Sequence, residues 1–395
     1  MTILVAAVAV SGTVAVTGAL AVAVAAGPGS TAAAAAGWTG GSARSGARLQ
    51  RALNHLVAMP SGPPGVIAVV QHGHRRAVYQ AGTASLAHPR PLSITDHERL
   101  ASFSKAFNGA VALSLVSQGR LRLTDTIGRW LPGLPQAWHH VTLSDMLQHR
   151  SGLPDYTSSK ALARRLQRAP HRPIPPRRLM RYVWREPLQF RPGSRYEYDN
   201  SDNTVVALMA RVAAGRSYQA LLRGLAYRPA GLRQTSLPAG SRLPRPYLRG
   251  YVLQAGHPAE DVSEALTASA AWAAGGIVAT PADTNRFIRA YLAPWFFSRS
   301  TQAAQLRFVA GTSSPPGPGT NAAGLAIFRY RTRCGTVYGH TGNTLGYTQF
   351  AAASRTGADS VSVAATEQLS LTVHPGVLAV LRRAELLAVC AAMGR

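Results

Sequence analysis

The chain has 395 residues, 46% of them hydrophobic, enough to bury a sizeable core as two domains or as one large domain with an insertion. Its formal charge of +26 invites a nucleic-acid reading, but the 42 basic residues are spread along the chain and no zinc, homeodomain or RNA-binding signature accompanies them. A nucleic-acid partner is therefore not expected, whereas an anionic envelope surface suits the charge as a secondary contact.

Residues 3–26 are almost entirely Ala, Val, Leu, Ile and Gly, and no charge appears before Arg44. Residues 1–36 fit a cleaved export signal, with small-residue cleavage options at Ala26 or Ala36, or an uncleaved N-terminal anchor. Both place the rest of the chain outside the cytoplasm. A linker rich in small residues covers 37–48, and apolar spacing predicts a short helix from Leu49 to Met59. Strands follow at Gly65–Val70 and Ala77–Gly82, then an apolar helix from Ser102 to Val116.

Leu131-Pro132-Gly133-Leu134-Pro135 breaks the pattern. A helix is expected at Val141–Leu147, then a basic, proline-interrupted helical stretch to about residue 190, then a helix at Ser201–Ala214. Thr280-Pro281 opens a capped helix to Leu292, and strands are expected at Gly324–Tyr330, Gly346–Ala353 and Ser360–Thr366 before a last helix, Pro375–Ala392. This order suggests an α/β (α+β) fold, an antiparallel sheet flanked by the terminal helices. Residues 49–130 and 265–395 would form a discontinuous α/β domain, with 131–264 as a mostly helical insert. Cys334 and Cys390 are the only cysteines, and in an exported chain they most simply form one disulfide. Without a histidine cluster of ligand spacing they make no metal site, and no cofactor is called for.

Three short segments carry chemistry. Ser102-x-x-Lys105 puts an amine one turn from a hydroxyl at a helix N-terminus, an arrangement that activates serine. Only Lys160 is a second lysine among the 42 basic residues, so Lys105 is not a generic positive charge. Tyr198-Asp199-Asn200 offers a phenol to relay a proton and a carboxamide that bonds a peptide in both directions. Gly339-His340-Thr341-Gly342-Asn343 precedes a strand-like run, where an edge could dock an extended substrate and aim an N–H at an oxyanion. Seen alone, each has a bland reading: a chance spacing, a turn with an N-cap, a structural histidine.

Together and in this order they resemble the serine penicillin-recognising family: D-alanyl-D-alanine carboxypeptidases, class C β-lactamases and related esterases. His149-Arg150-Ser151-Gly152-Leu153, Phe190-Arg191-Pro192-Gly193, Ala274-Gly275-Gly276 and Gly346-Tyr347 extend the resemblance over roughly residues 46–393. The His-Thr-Gly form and the cysteine placement are most similar to the secreted carboxypeptidase branch. Ser201-Asp202-Asn203 spells a class A β-lactamase motif, but the Pro-Gly-x-x-Tyr-x-Tyr-x-Asn lead-in favours Tyr198 and Asn200.

The resemblance implies a β-lactamase/transpeptidase-like fold. It makes Ser102 the nucleophile, Lys105 its proton acceptor, and Tyr198 the proton shuttle, tuned by Lys105 and His340. Asn200 would bind the acyl-side amide, and the N–H groups of Ser102 and Asn343 in the Gly342 segment would form an oxyanion hole. Thr341 would hold a substrate carboxylate with an arginine from Arg329, Arg331 or Arg333, and Trp272 would line the site. Asp199, where serine is usual, sets a carboxylate beside the phenol and would raise its pKa. The expectation is a monomeric acyl-enzyme hydrolase of peptidyl-D-Ala-D-Ala that β-lactams acylate, with a β-lactamase, an esterase or a non-catalytic peptidoglycan-binding protein as the rivals.

Overall fold

The structure, a computed structural model, describes residues 40–395, so the expected export segment lies outside the described residues. It contains helix α1 (Gly40–Ala58), strands β1 (Gly65–His72) and β2 (Arg75–Gly82), and helices α2 (Ser104–Ser117), α3 (Ser201–Ala214) and α4 (Pro281–Leu292). Strands β3 (Val309–Ala310), β4 (Thr320–Ala323), β5 (Phe328–Thr332), β6 (Gly335–Thr344), β7 (Tyr347–Ala353) and β8 (Ser360–Ala365) follow, and helix α5 (Pro375–Ala392) closes the chain.

The eight strands form one antiparallel sheet in the order β2-β1-β8-β7-β6-β5-β4-β3. The expected mixed fold with terminal helices on an antiparallel sheet is what the chain forms. Both faces of the central strands are covered, which is why β7 and β8 are buried along their whole length instead of alternating. Val66, Ala68, Val70, Phe350 and Val363 pack under α1 and α5. The opposite face meets α4 and a layer of helices between residues 101 and 230, whose core runs from Phe103 and Phe107 to Trp138, Met146 and Met209. Among the described residues no helix is long and apolar enough to cross a membrane.

Helix α1 starts at Gly40, so residues 40–48 are helical and not linker. Leu49, Leu53 and Leu56 are fully buried at helical spacing, each contributing about 2 kcal/mol. The small residues before them serve close packing rather than flexibility. Ser42 and Ser45 are buried, Ser45 Oγ donates to the Arg395 carbonyl, and a Cβ on Gly41 would lie 2.6 Å from the Gly394 carbonyl oxygen.

Two further departures concern strands: the run expected at Gly324–Tyr330 begins as the 324–327 turn between β4 and β5, and β6 is a ten-residue strand where only a histidine before a strand-like run was expected. Its Gly339, Gly342 and polar residues weaken the strand signal, and pairing with β7 from Tyr338 to Thr344 overrides it. The expected disulfide, Cys334–Cys390, joins the β5–β6 turn to α5 with Cα atoms 5.0 Å apart. It closes a loop with a sequence separation of 56. Cys390→Ala is therefore expected to cost about 2–4 kcal/mol of stability, read as a lower denaturant midpoint than the oxidised parent; an unchanged midpoint would remove the disulfide from the list of stabilising features.

Candidate active site

Ser102 lies in a single 3₁₀ turn, Ala101–Phe103, that leads straight into α2. The α-helix thus begins two residues later than the spacing predicts, yet the pair survives: Lys105 Nζ is 3.1 Å from Ser102 Oγ. The turn is held in place from both sides. Ile277 N donates to Ser104 Oγ at 3.0 Å, and Phe107 stacks on Phe287 of α4 with ring centroids 3.6 Å apart. Ala101 adopts φ +48°, a strained value that the surrounding packing sustains beside the nucleophile.

Lys105 is fully buried and points its three N–H bonds at Ser102 Oγ, Asn200 Oδ1 at 2.7 Å and the Ala274 carbonyl at 3.0 Å. Burial pushes its pKa down to about 7, while the negative charges of Asp155, Asp199 and Asp202 partly oppose the shift. A neutral amine has two N–H bonds and one lone pair. With Asn200 and Ala274 taking the two donors, the lone pair falls toward Ser102 Oγ. Asn200 is oriented for this by its own amide, which donates to Asp155 Oδ2 at 2.8 Å and Thr157 Oγ1 at 3.2 Å. The competing Ser201-Asp202-Asn203 is buried at the start of α3, where Ser201 Oγ donates to the Pro154 carbonyl and Asn203 accepts from Asn108.

Tyr198 lies under Lys105, whose Nζ is 4.8 Å from the ring centroid, and stacks on His149 at 4.5 Å. Burial raises the phenol's pKa first and foremost; the Ser102 hydroxyl eases the shift, and Asp155 and Asp199 add to it. The expected influence of Asp199 is present but secondary. Asp199 Oδ1 accepts from Asp202 N at 2.6 Å at the start of α3, and burial raises the pKa of both carboxyls well above the ordinary range, with Asp202 adding to the shift of Asp199 and Asp155 to that of both. The phenol therefore stays protonated, able to give a proton as it receives one, and not a standing phenolate base.

The third segment arrives on β6, which pairs with β5 only from Gly335 to Gly339. From His340 onward that edge is free of the sheet. Gly342 lets the strand touch the serine turn: a Cβ there would lie 2.2 Å from the Leu100 carbonyl oxygen and 3.2 Å from Phe103 N. His340 is buried 6.3 Å from the Tyr198 ring, centroid to centroid. Its pKa is lowered to about 3, chiefly by burial and then by Lys105, so it is neutral. Nδ1 lies 2.5 Å from the Thr341 carbonyl, which fixes the proton there and leaves Nε2 as an acceptor with no protein partner.

Three expected binding residues are engaged with other parts of the protein. Trp272 is buried in the helical core against Tyr218 at 4.9 Å and is not a groove wall. The Arg329 guanidinium sits 4.7 Å over the Phe308 ring. The Thr341 hydroxyl is buried and donates to the Pro315 carbonyl at 2.8 Å. Conversely, His149, Asp155 and the Ala274 carbonyl join the cluster although the motifs assigned them no role. The His149–Leu153 segment and the adjoining Asp155 were visible as a signature, but only folding puts them against Tyr198 and Asn200. Among the described residues no His, Cys, Asp and Glu cluster suits a metal ion.

A family model described as Beta-lactamase matches residues 49–377. Penicillin-binding protein 4* of Bacillus subtilis is 28% identical over 173 residues, 43% of this chain and 37% of that protein. The D-alanyl-D-alanine-carboxypeptidase/endopeptidase AmpH of Escherichia coli is 26% identical over 260 residues, 62% of each chain. The chain thus spans between about a third and two thirds of the length of these curated relatives. A solved D-stereospecific amidohydrolase from Streptomyces sp. superposes with a TM-score of 0.74 at 27% identity, covering 86% of this chain and 98% of that one. With the family model covering most of the chain, and Ser102, Lys105, Tyr198 and His340 brought together from a turn, a helix, a loop and a strand, the chain belongs to the beta-lactamase family of serine hydrolases.

Proposed function

We propose that the protein is an extracytoplasmic serine hydrolase that forms an acyl-enzyme from small D-amino-acid substrates and is acylated by β-lactams. D-alanyl-D-alanine carboxypeptidase action on peptidoglycan stem peptides is the form its motifs suggest. The observation that carries the reading is the buried Lys105, whose two remaining donors are committed to Asn200 and Ala274 and whose lone pair then meets Ser102 Oγ.

In the first half-reaction Ser102 Oγ attacks the substrate carbonyl carbon as its proton passes to Lys105. The N–H groups of Ser102 and Asn343 receive the oxyanion. The C–N bond breaks as Tyr198 gives its proton to the leaving amine and recovers one from Lys105. Water then attacks the ester, the same groups take its proton, and the acid leaves with Ser102 restored. The export-type N-terminal segment and the disulfide support a site outside the cytoplasm.

Purified protein is expected to bind a fluorescent penicillin covalently, and Ser102→Ala to lose all labelling. Stable labelling with acyl hydrolysis supports this reading. Rapid turnover of a chromogenic cephalosporin without peptide or ester hydrolysis would replace it with a β-lactamase.

A further inference from the structure

The hydroxyl expected to hold a substrate's terminal carboxylate is spent within the protein. Thr341 has one hydroxyl proton, and it goes to the Pro315 carbonyl of the 311–319 loop at 2.8 Å. The Asn343 amide donates to the Leu369 carbonyl from the loop between β8 and α5. That leaves Asn343 one N–H and its Oδ1, and the Oδ1 is a buried acceptor with no protein partner. An acceptor repels a carboxylate and welcomes an N–H.

Nor do the arginines of β5 and the turn after it supply the missing charge. Arg329 sits opposite Tyr338, three residues along β6 from Thr341, with its guanidinium over Phe308. Arg331 sits opposite Thr336, five residues away or roughly 17 Å along the strand. Arg333 is exposed in the turn beyond it.

Building on the acyl-enzyme reading above, we infer that the leaving-group side of this site, at Thr341 and Asn343, accepts an uncharged amine, amide or alcohol and does not recognise a free carboxylate. The substrate class is then D-amino-acid amides, esters or internal D-peptide bonds, in preference to free D-Ala-D-Ala ends. In chemical terms nothing else changes. Acylation still breaks the bond to the leaving group, and the leaving nitrogen or oxygen still takes its proton from Tyr198.

The test holds the acyl half constant. A blocked lysyl-D-alanyl group is offered to the full protein as its D-alanine peptide, the same peptide with its C-terminus amidated, and the simple primary amide. Capping the carboxylate is expected to preserve or raise kcat/KM, with the primary amide at least as good a substrate. A preference of roughly tenfold or more for the free carboxylate, the value of a charge-assisted hydrogen bond, overturns the inference. Thr341→Val is expected to lower turnover of all three by the same factor; a KM increase confined to the free-carboxylate peptide also overturns it. If none of the three is hydrolysed while penicillin still labels Ser102, the inference fails alone. If labelling fails too, the acyl-enzyme reading falls with it.

Discussion

Lys105→Met is expected to slow acylation of Ser102 by roughly 10²–10⁴-fold, the usual worth of a positioned general base. Methionine keeps the apolar stem and removes only the amine, so the loss reports proton transfer and not packing. The same argument fixes the pH dependence of the parent. Burial holds the Lys105 pKa down at about 7, and only the neutral amine can accept the serine proton. Acylation should therefore rise with pH through neutrality to a plateau. Asp155 raises the Lys105 pKa, so Asp155→Asn should move that midpoint to lower pH. Initial rates of fluorescent-penicillin labelling across a pH series measure all of this. A profile flat through the neutral range, or a methionine variant labelled at the parental rate, would remove Lys105 as the base.

A second large effect is expected from a single methyl group. In Gly342→Ala the new Cβ meets the Leu100 carbonyl oxygen at 2.2 Å and Phe103 N at 3.2 Å. Both are backbone atoms, so either the strand or the turn bearing Ser102 must move. A displacement of about 1 Å between nucleophile and substrate edge costs about 10²-fold in rate. The stability cost of such overpacking is only about 1–3 kcal/mol. Labelling rate and thermal melting should accordingly diverge: a folded protein with labelling slowed about 100-fold. Parental labelling would show that the strand's close approach to the serine turn is not needed for catalysis.

How far these residues could be read without the fold differs from one to the next. Lys105 stood out because lysine is scarce here and because a three-residue spacing on a helix is a local fact; tertiary structure shifted the helix start without disturbing the pair. Tyr198 and Asn200 separated from the overlapping Ser201-Asp202-Asn203 through their lead-in, again over a short distance. The terminal helices, four of the expected strands or hairpin partners and the Cys334–Cys390 bond followed from periodicity and from an export context.

The β6 strand did not, because a run with three glycines and several polar residues has no period to detect, and its pairing with β7 is supplied from outside the segment. Small residues at 40–48 look like linker for the same reason: their purpose is to let another piece of backbone approach. Trp272, Thr341 and Arg329 mark the firmest boundary. Residue type says what a side chain is able to bind, and here the sequence alone picked out Ser102, Lys105, Tyr198 and His340, which the fold brings together. Which partner each group actually takes was decided by loops remote in the chain, the Pro315 carbonyl for Thr341, the Leu369 carbonyl for Asn343 and the Phe308 ring for Arg329. A donor has few protons to give, and only the tertiary structure allots them.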